Sequence, residues 1–375
     1  MFLLLICLFL TWKLLITIAA LIAPFFLPLQ LDSIARPLAI NAPYLAWIWV
    51  NFDGINYLTI ARNGYQYPNY AYFPLFPFLS AFAHEVFHTP RTASGLWVSN
   101  IAFFVGLVFL YKITLLDFSK KIALRTVVFC LVIPTSFYYG AFYTDGLYFG
   151  LSVSSFYAAR KSWWLLAGIA GYFAGLARLI GVALFPALLL EWYIQNKQRD
   201  KSFRGLVKIF LKEQGFFLFL IPLGIITYGL YLQYNFGDFF LFQKAMKDWG
   251  QSQFIFPPQV LFRYLKILFV AQHNFPYFVA MFEFAAALFY CYLMLRMWKT
   301  LRSSYILLMF LTFLIPTLTG TWQSMPRYIL HMFPAFIAIA LITLSSKKLY
   351  YGLILFFVIL QFFLIACFTR GYFVA

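Results

Sequence analysis

Apolar runs of about 20 residues, separated by short polar clusters, repeat from one end of the chain to the other. Runs of that length predict membrane-spanning helices, because a helix closes its own backbone hydrogen bonds inside hydrocarbon. The pattern predicts about eleven spans, several of them short, near 3–28, 96–116, 124–140, 145–159, 163–177, 179–194, 213–234, 274–296, 303–318, 328–345 and 349–368. The first, MFLLLICLFLTWKLLITIAALIAPFFLP, contains Lys13 and lacks a small-residue cleavage site, so it is expected to stay as an anchor. No fixed-period repeat, linker or low-complexity tract interrupts the series, and residues 1–375 are expected to form one membrane domain.

Composition excludes a soluble globule. With 64% hydrophobic and 10% charged residues, the chain lacks the polar surface needed to cover itself in water. The four cysteines, Cys7, Cys130, Cys291 and Cys367, lie inside apolar stretches without CxxC spacing, which argues for packing and against a metal site or a disulfide framework.

The net charge of +17 is explained by loop placement rather than by nucleic acid. Basic residues cluster at Lys120, Lys121 and Arg125; at Arg160 and Lys161; at Lys197, Arg199, Lys201, Arg204, Lys208 and Lys212; at Arg296, Lys299 and Arg302; and at Lys347 and Lys348. Placing all five on the cytoplasmic side allows a single crossing between the first helix and residue 117. Residues 29–95 then form a first external loop, and its apolar run FPLFPFLSAFAHEVF, with two early prolines and His84, Glu85 and His88, suits a short interfacial helix rather than a span. Residues 235–272 form a second long external loop and TGTWQSMPRY a short third one.

Asp53 is one of only 11 acidic residues, and this topology puts it outside, near the membrane surface, in NFDGINYLTIARNGY. Two roles fit the residues. It caps the helix GINYLTIAR, which ends at Asn63-Gly64, or it serves as a general base toward a hydroxyl, and a cap can also aim the carboxylate into a cavity.

The stretch FDGINYLTIARNGY, followed by AYFPLFPFL, resembles the WDG, Y, IA, GY and FFPLYP series of the PIG-V-like mannosyltransferase family. Four later segments resemble that family in the same order: IPTSFYYGAFYTDGLYFGL, LAGIAGYFAGLARLIGVALFPALLLEW, NFGDFFLFQKAMKDWGQ and SMPRYILHMFPAFIAIA. The chain departs from the pattern at Phe52, where the family usually has Trp, and Asn56 lies where some relatives carry another polar or aromatic group. The resemblance implies an all-α polytopic fold of the GT-C glycosyltransferase type, whose first external loop supplies a catalytic aspartate, here Asp53. It implies a polyprenyl-phosphate-linked sugar donor, an acceptor hydroxyl on a glycan, glycolipid or protein, and inversion at the anomeric carbon. Neither a metal nor another cofactor is implied, since a single phosphate leaves and basic side chains can hold it. A compact member of this kind is expected in a prokaryotic plasma membrane, or in the endoplasmic reticulum if eukaryotic, with the site external or lumenal.

Such a reaction needs cations for the departing phosphate. Arg327, Arg178 and His331, one turn beyond Arg327, are the candidates on the outer side. For each arginine the alternative is snorkelling to headgroups or a salt bridge to Asp145 or Asp238. Asp145 is expected to neutralise Arg178, bind sugar hydroxyls or assist the acceptor. Asp238 and Lys244 sit on a turn or lid, Trp249 and FIFPPQ are placed to close over the lipid, and Tyr57, Gln323 and Tyr328 complete the substrate-binding set. His84 and His88 have i, i+4 spacing but no carboxylate motif beside them, and Glu283 is expected to be paired within the bundle. The aromatic run YQYPNYAYF serves an interfacial belt or stacks on carbohydrate. A transporter is the rival of another class, but it would place ionisable groups at the midplane and often an inverted repeat, and the acidic residues here lie mostly at the outer surface. The sugar is mannose, or glucose, galactose or arabinose.

Overall fold

The computed structural model describes residues 1–30, 42–200, 202–251 and 253–374, and every regular element among them is helical. Residues 31–41 of the first external loop and Lys201 of the largest basic cluster lie outside the described residues. The longer helices are α1 (Phe2–Ile22), α2 (Asp53–Asn63), α3 (Leu75–Phe87), α4 (Arg91–Thr114), α5 (Lys120–Val132), α6 (Asp145–Arg160), α7 (Trp164–Ala177) and α8 (Leu184–Asn196). They continue as α9 (Phe203–Lys212), α10 (Leu220–Phe236), α11 (Pro257–Val270), α12 (Phe275–Met297), α13 (Ser303–Thr317), α14 (Phe333–Ile342) and α15 (Lys347–Thr369).

Every expected span overlaps a helix. Six stretches among the described residues are long and apolar enough to cross a membrane, and a seventh if Met325–His331 and Phe333–Ile342, bent by 91°, are one broken span. The expected spans at 124–140, 145–159, 163–177 and 303–318 are helical, but their helices run only 13 to 16 residues. One was read too long because Pro134 forces Ile133 into extended backbone (ψ 138°) and ends α5. The chain is an all-α multi-pass membrane protein.

The apolar run FPLFPFLSAFAHEVF forms α3, which buries Leu75, Phe76, Pro77, Ser80 and Ala83 and leaves Phe78, Phe82, Val86 and Phe87 exposed. Residues 235–272, expected as a loop, contain α11.

Helix α6 is buried at most of its positions. Gly146 and Gly150 permit this, because a Cβ at either would stand 2.6 and 2.5 Å from the carbonyls of Ser99 and Ala102 on α4. Its two ends carry separate charge clusters. At the C-terminal end Arg160 forks onto Asp117 at 2.6 and 2.7 Å, and its Nε lies 3.4 Å from Glu191 on α8. The fully buried Glu191 also accepts from Arg302 (2.8 and 3.1 Å), Ser304 (2.6 Å) and Gln195 (2.8 Å). Replacing Glu191 by Gln takes the counter-charge from Arg302, while Arg160 keeps Asp117, and the expected loss is about 3 kcal/mol of stability, the lower end for breaking a buried pair. A thermal-unfolding measurement in detergent checks this, with activity per folded molecule unchanged.

Candidate active site

The first element of the site is the turn into α2. Phe52 holds φ 57° and ψ −120°, a conformation that costs a non-glycine residue about 1–3 kcal/mol. That turn makes Phe52 the cap position and Asp53 the first helical residue, with no side-chain cap hydrogen bond. The capping role expected of Asp53 is therefore corrected, because its carboxylate is engaged elsewhere. The other end is as expected: α2 stops at Asn63 with Gly64 at φ 77°.

Asp53 Oδ1 accepts from the Tyr72 hydroxyl at 3.2 Å and Oδ2 accepts from Arg327 Nη1 at 2.5 Å. The Tyr72 oxygen in turn accepts from Asn56 Nδ2 at 2.9 Å, one turn along α2. Burial, and then the negative charge of Asp53, raise the Tyr72 phenol well above its ordinary pKa, so it stays protonated and donates.

Arg327 reaches Asp53 from a break in the fold. Ser324 takes φ 62° and gives its backbone N–H to Glu283 at 2.9 Å, while Glu283 also accepts from Tyr264 at 2.8 Å. Glu283 is thus paired within the bundle, as expected. The short helix Met325–Tyr328 that follows points Arg327 inward, before the chain bends into α14. Its Nε and Nη2 bind the carboxylate of Asp145 at 2.8 to 3.2 Å, and its plane lies over the rings of Tyr143 (4.6 Å) and Tyr138 (5.2 Å).

Asp145 is the shared anchor. It opens α6 at the positive end of the helix dipole, is fully buried, and also takes Arg178 Nη1 at 3.1 Å and His331 Nε2 at 3.0 Å. Arg178 comes from the interruption after α7, where its extended backbone (φ −157°, ψ 146°) turns the chain, and it lies 5.8 Å over the Tyr328 ring. Both arginines therefore adopt the salt-bridge alternative, with Asp145 rather than Asp238. Two carboxylates and two guanidiniums give a cluster with no net formal charge, which is how the charges tolerate burial.

These groups border a cavity of ≈ 220 Å³. Of the expected residues, Asp53, Tyr57, Arg178, Gln323, Arg327 and Tyr328 line it, and Trp249 closes part of its wall. Asp145 and His331 stand behind the wall and support it. His331 is fully buried against Asp145 and the rings of Tyr148 and Tyr328, so a direct contact with donor phosphate does not fit its position. Asp238 and Lys244 are also outside the site: they pair with each other at 2.6 Å, and that hydrogen bond holds the Asp238 carboxyl below its ordinary value. His84 bonds the Thr89 carbonyl and takes no part in the cavity. Sequence reasoning missed the individual importance of Tyr72 and the linings Met246, Gln251 and Phe373. Tyr72 had a signal in the dense aromatic run, and Met246 and Gln251 in the family-like stretch NFGDFFLFQKAMKDWGQ; Phe373 had none.

Arg178 has hydrogen-bonding capacity to spare. Among the described residues its Nε and Nη2 have no partner, whereas all three nitrogens of Arg327 are engaged with carboxylates. The arrangement offers a carboxylate able to accept a proton and, in the same cavity, a cation able to receive an anion.

A family model described as mannosyltransferase (PIG-V) matches residues 1–269. No curated protein matches the chain. Among solved structures, an oligosaccharyltransferase of Archaeoglobus fulgidus, crystallised with zinc and sulfate, is similar at 14% identity and a TM-score of 0.40, over 96% of this chain and 53% of its own. The chain thus spans about half the length of that protein.

Proposed function

This chain belongs to the mannosyltransferase (PIG-V) family and is a membrane glycosyltransferase; on that premise we propose that it moves mannose from a polyprenyl-phosphate donor to an acceptor hydroxyl, with inversion and with Asp53 as general base. A GT-C type architecture and an external or lumenal site belong to the same proposal. The observation that carries it is that the Asp53 carboxylate and Arg178, whose Nε and Nη2 have no partner among the described residues, line one cavity.

The acceptor oxygen attacks the anomeric carbon and its proton passes to Asp53, while the bond from that carbon to the phosphate oxygen breaks and its electron pair leaves with the phosphate. Negative charge grows on the phosphate, where Arg178 meets it. Arg327 was expected to hold that phosphate. Its hydrogen bonds give it instead the part of a positioning residue that fixes the Asp53 carboxylate, with Tyr72 on the other oxygen. Tyr57, Gln323 and Tyr328 line the cavity and offer polar contacts to sugar or acceptor, and His331 steadies Asp145.

The test is transfer by the reconstituted protein from radiolabelled polyprenyl phosphates carrying mannose, glucose, galactose or arabinose, with membranes of the source cell supplying the acceptor. Labelled product from the mannosyl donor is expected, and its absence with every polyprenyl-phosphate sugar overturns the reading. In the same assay Arg178→Gln should raise the donor KM by about ten- to a hundredfold, the worth of one hydrogen bond to a charged group. An unchanged donor KM removes Arg178 from the phosphate site.

A further inference from the structure

The side of the molecule away from the cavity carries a feature that transfer chemistry leaves unused. Helix α9 joins two stretches able to cross the membrane, Leu179–Asn196 and Gly215–Phe236. The first starts beside Arg178 and the second leads into the loop that brings Met246 and Trp249 to the cavity, so α9 is tethered at both ends to the opposite membrane surface.

Its orientation there is fixed. Phe210 packs edge-on against Trp192 at 4.9 Å and against Phe219 at 6.2 Å, and Leu206 and Ile209 rest on the core. Gly215 leaves room for this contact, because a Cβ there would stand 2.4 Å from the Phe210 ring. Docked in this way, α9 turns outward an apolar column, Phe203, Val207 and Leu211, exposed at 82%, 40% and 58%. Beside it runs a basic column at the same helical spacing, Arg204, Lys208 and Lys212, all exposed. Of the neighbouring acids, Asp200 bonds the backbone and hydroxyl of Ser202 and lies close enough to feel the charge of Lys208, and Glu213 pairs with Arg199, so among the described residues no ion pair occupies Arg204, Lys208 or Lys212. Ser202 in turn caps the helix by accepting from the Gly205 N–H at 3.0 Å.

We infer that α9 is a binding site for anionic phospholipid, independent of the transfer reaction. The apolar column enters the boundary between headgroups and acyl chains, and the three basic side chains, whose stems run along the same surface, hold the phosphates of negatively charged lipids. The tether supplies the second half of the argument. A helix carried by its neighbours to the membrane surface requires no recruitment, so its basic column serves to select among the lipids already present.

The probe is a short-chain phosphatidylglycerol added to the purified full chain in detergent, compared with phosphatidylcholine of the same chain length and with inorganic phosphate, reading the thermal midpoint. Phosphatidylglycerol should raise the midpoint saturably and more than phosphatidylcholine, with the difference lost at high salt, and inorganic phosphate should not reproduce it. The triple variant Arg204→Gln/Lys208→Gln/Lys212→Gln should need at least about tenfold more phosphatidylglycerol for half the effect, with its lipid-free midpoint unchanged. Phe203→Ser/Leu211→Ser should weaken the effect of both lipids. Equal stabilisation by the two lipids, a full response to phosphatidylglycerol in the triple variant, or the same response to inorganic phosphate would each overturn the inference. Should the triple variant fail to fold, the salt titration of the unaltered protein still decides, since a phosphatidylglycerol preference insensitive to salt rules out the basic column.

Discussion

Asp53→Asn is expected to lower the turnover of sugar transfer by about 10²- to 10⁴-fold, the range in which removal of a general base is felt. The variant isolates basicity from shape. Asparagine can still accept from Arg327 Nη1 through its carbonyl oxygen, while its amide group faces the Tyr72 hydroxyl, which can turn from donor to acceptor, so the wall of the cavity keeps its form. Arg327 retains the buried carboxylate of Asp145 as counter-charge, which keeps the stability cost small. The discriminating outcome is a fall in kcat with donor KM and thermal midpoint little changed. Turnover equal to that of the unaltered protein would remove Asp53 from the reaction, and an equal fall in expression and turnover would mark it as structural only.

The second large effect is expected on the fold itself. Asp145→Asn leaves Arg327, Arg178 and His331 around a neutral amide in a fully buried position, and removing one partner of a buried ion pair costs about 3–5 kcal/mol. Activity should also fall, because an Arg327 released from Asp145 no longer presents Nη1 to Asp53 in one fixed direction. The test is a double-variant cycle on thermal stability. Adding Arg178→Gln to Asp145→Asn removes one stranded charge, so the pair should lose less than the sum of the single losses. Strict additivity would mean that Asp145 and Arg178 do not depend on each other.

Much of this was legible in the chain before any coordinates. Spans show because hydrocarbon demands long apolar runs, and their approximate limits followed from that demand alone. Asp53 showed because a carboxylate is rare in such a chain and sat in a family-like stretch. The contacts of Arg327 were legible only as one alternative among several, since its partners lie 182 and 274 residues away and no local pattern encodes such distances. Tyr72 was hidden for a different reason. YQYPNYAYF offers four tyrosines of equal chemistry, and only the path of the backbone gives one of them Asp53 while Tyr67 turns to Asp248. Asp238 and Lys244 misled because they look like separate charges for a ligand. Six residues apart on a tight turn, they satisfy each other.

Helix α6 has one more consequence. It is 16 residues long, so at about 1.5 Å per residue it separates its two charge clusters by about 24 Å. That ruler is shorter than a hydrocarbon core of about 30 Å, so both clusters cannot stand at headgroup level in a bilayer of ordinary thickness. At least one is sunk below the surface, or the bilayer is pinched to meet it. The cluster at Asp145 is the one with an inlet, the cavity at Asp53. On the proposed function, a length of helix sets the depth of the reaction: the phosphate of a membrane-borne donor is drawn inward from headgroup level, or the bilayer thins to bring it to the site.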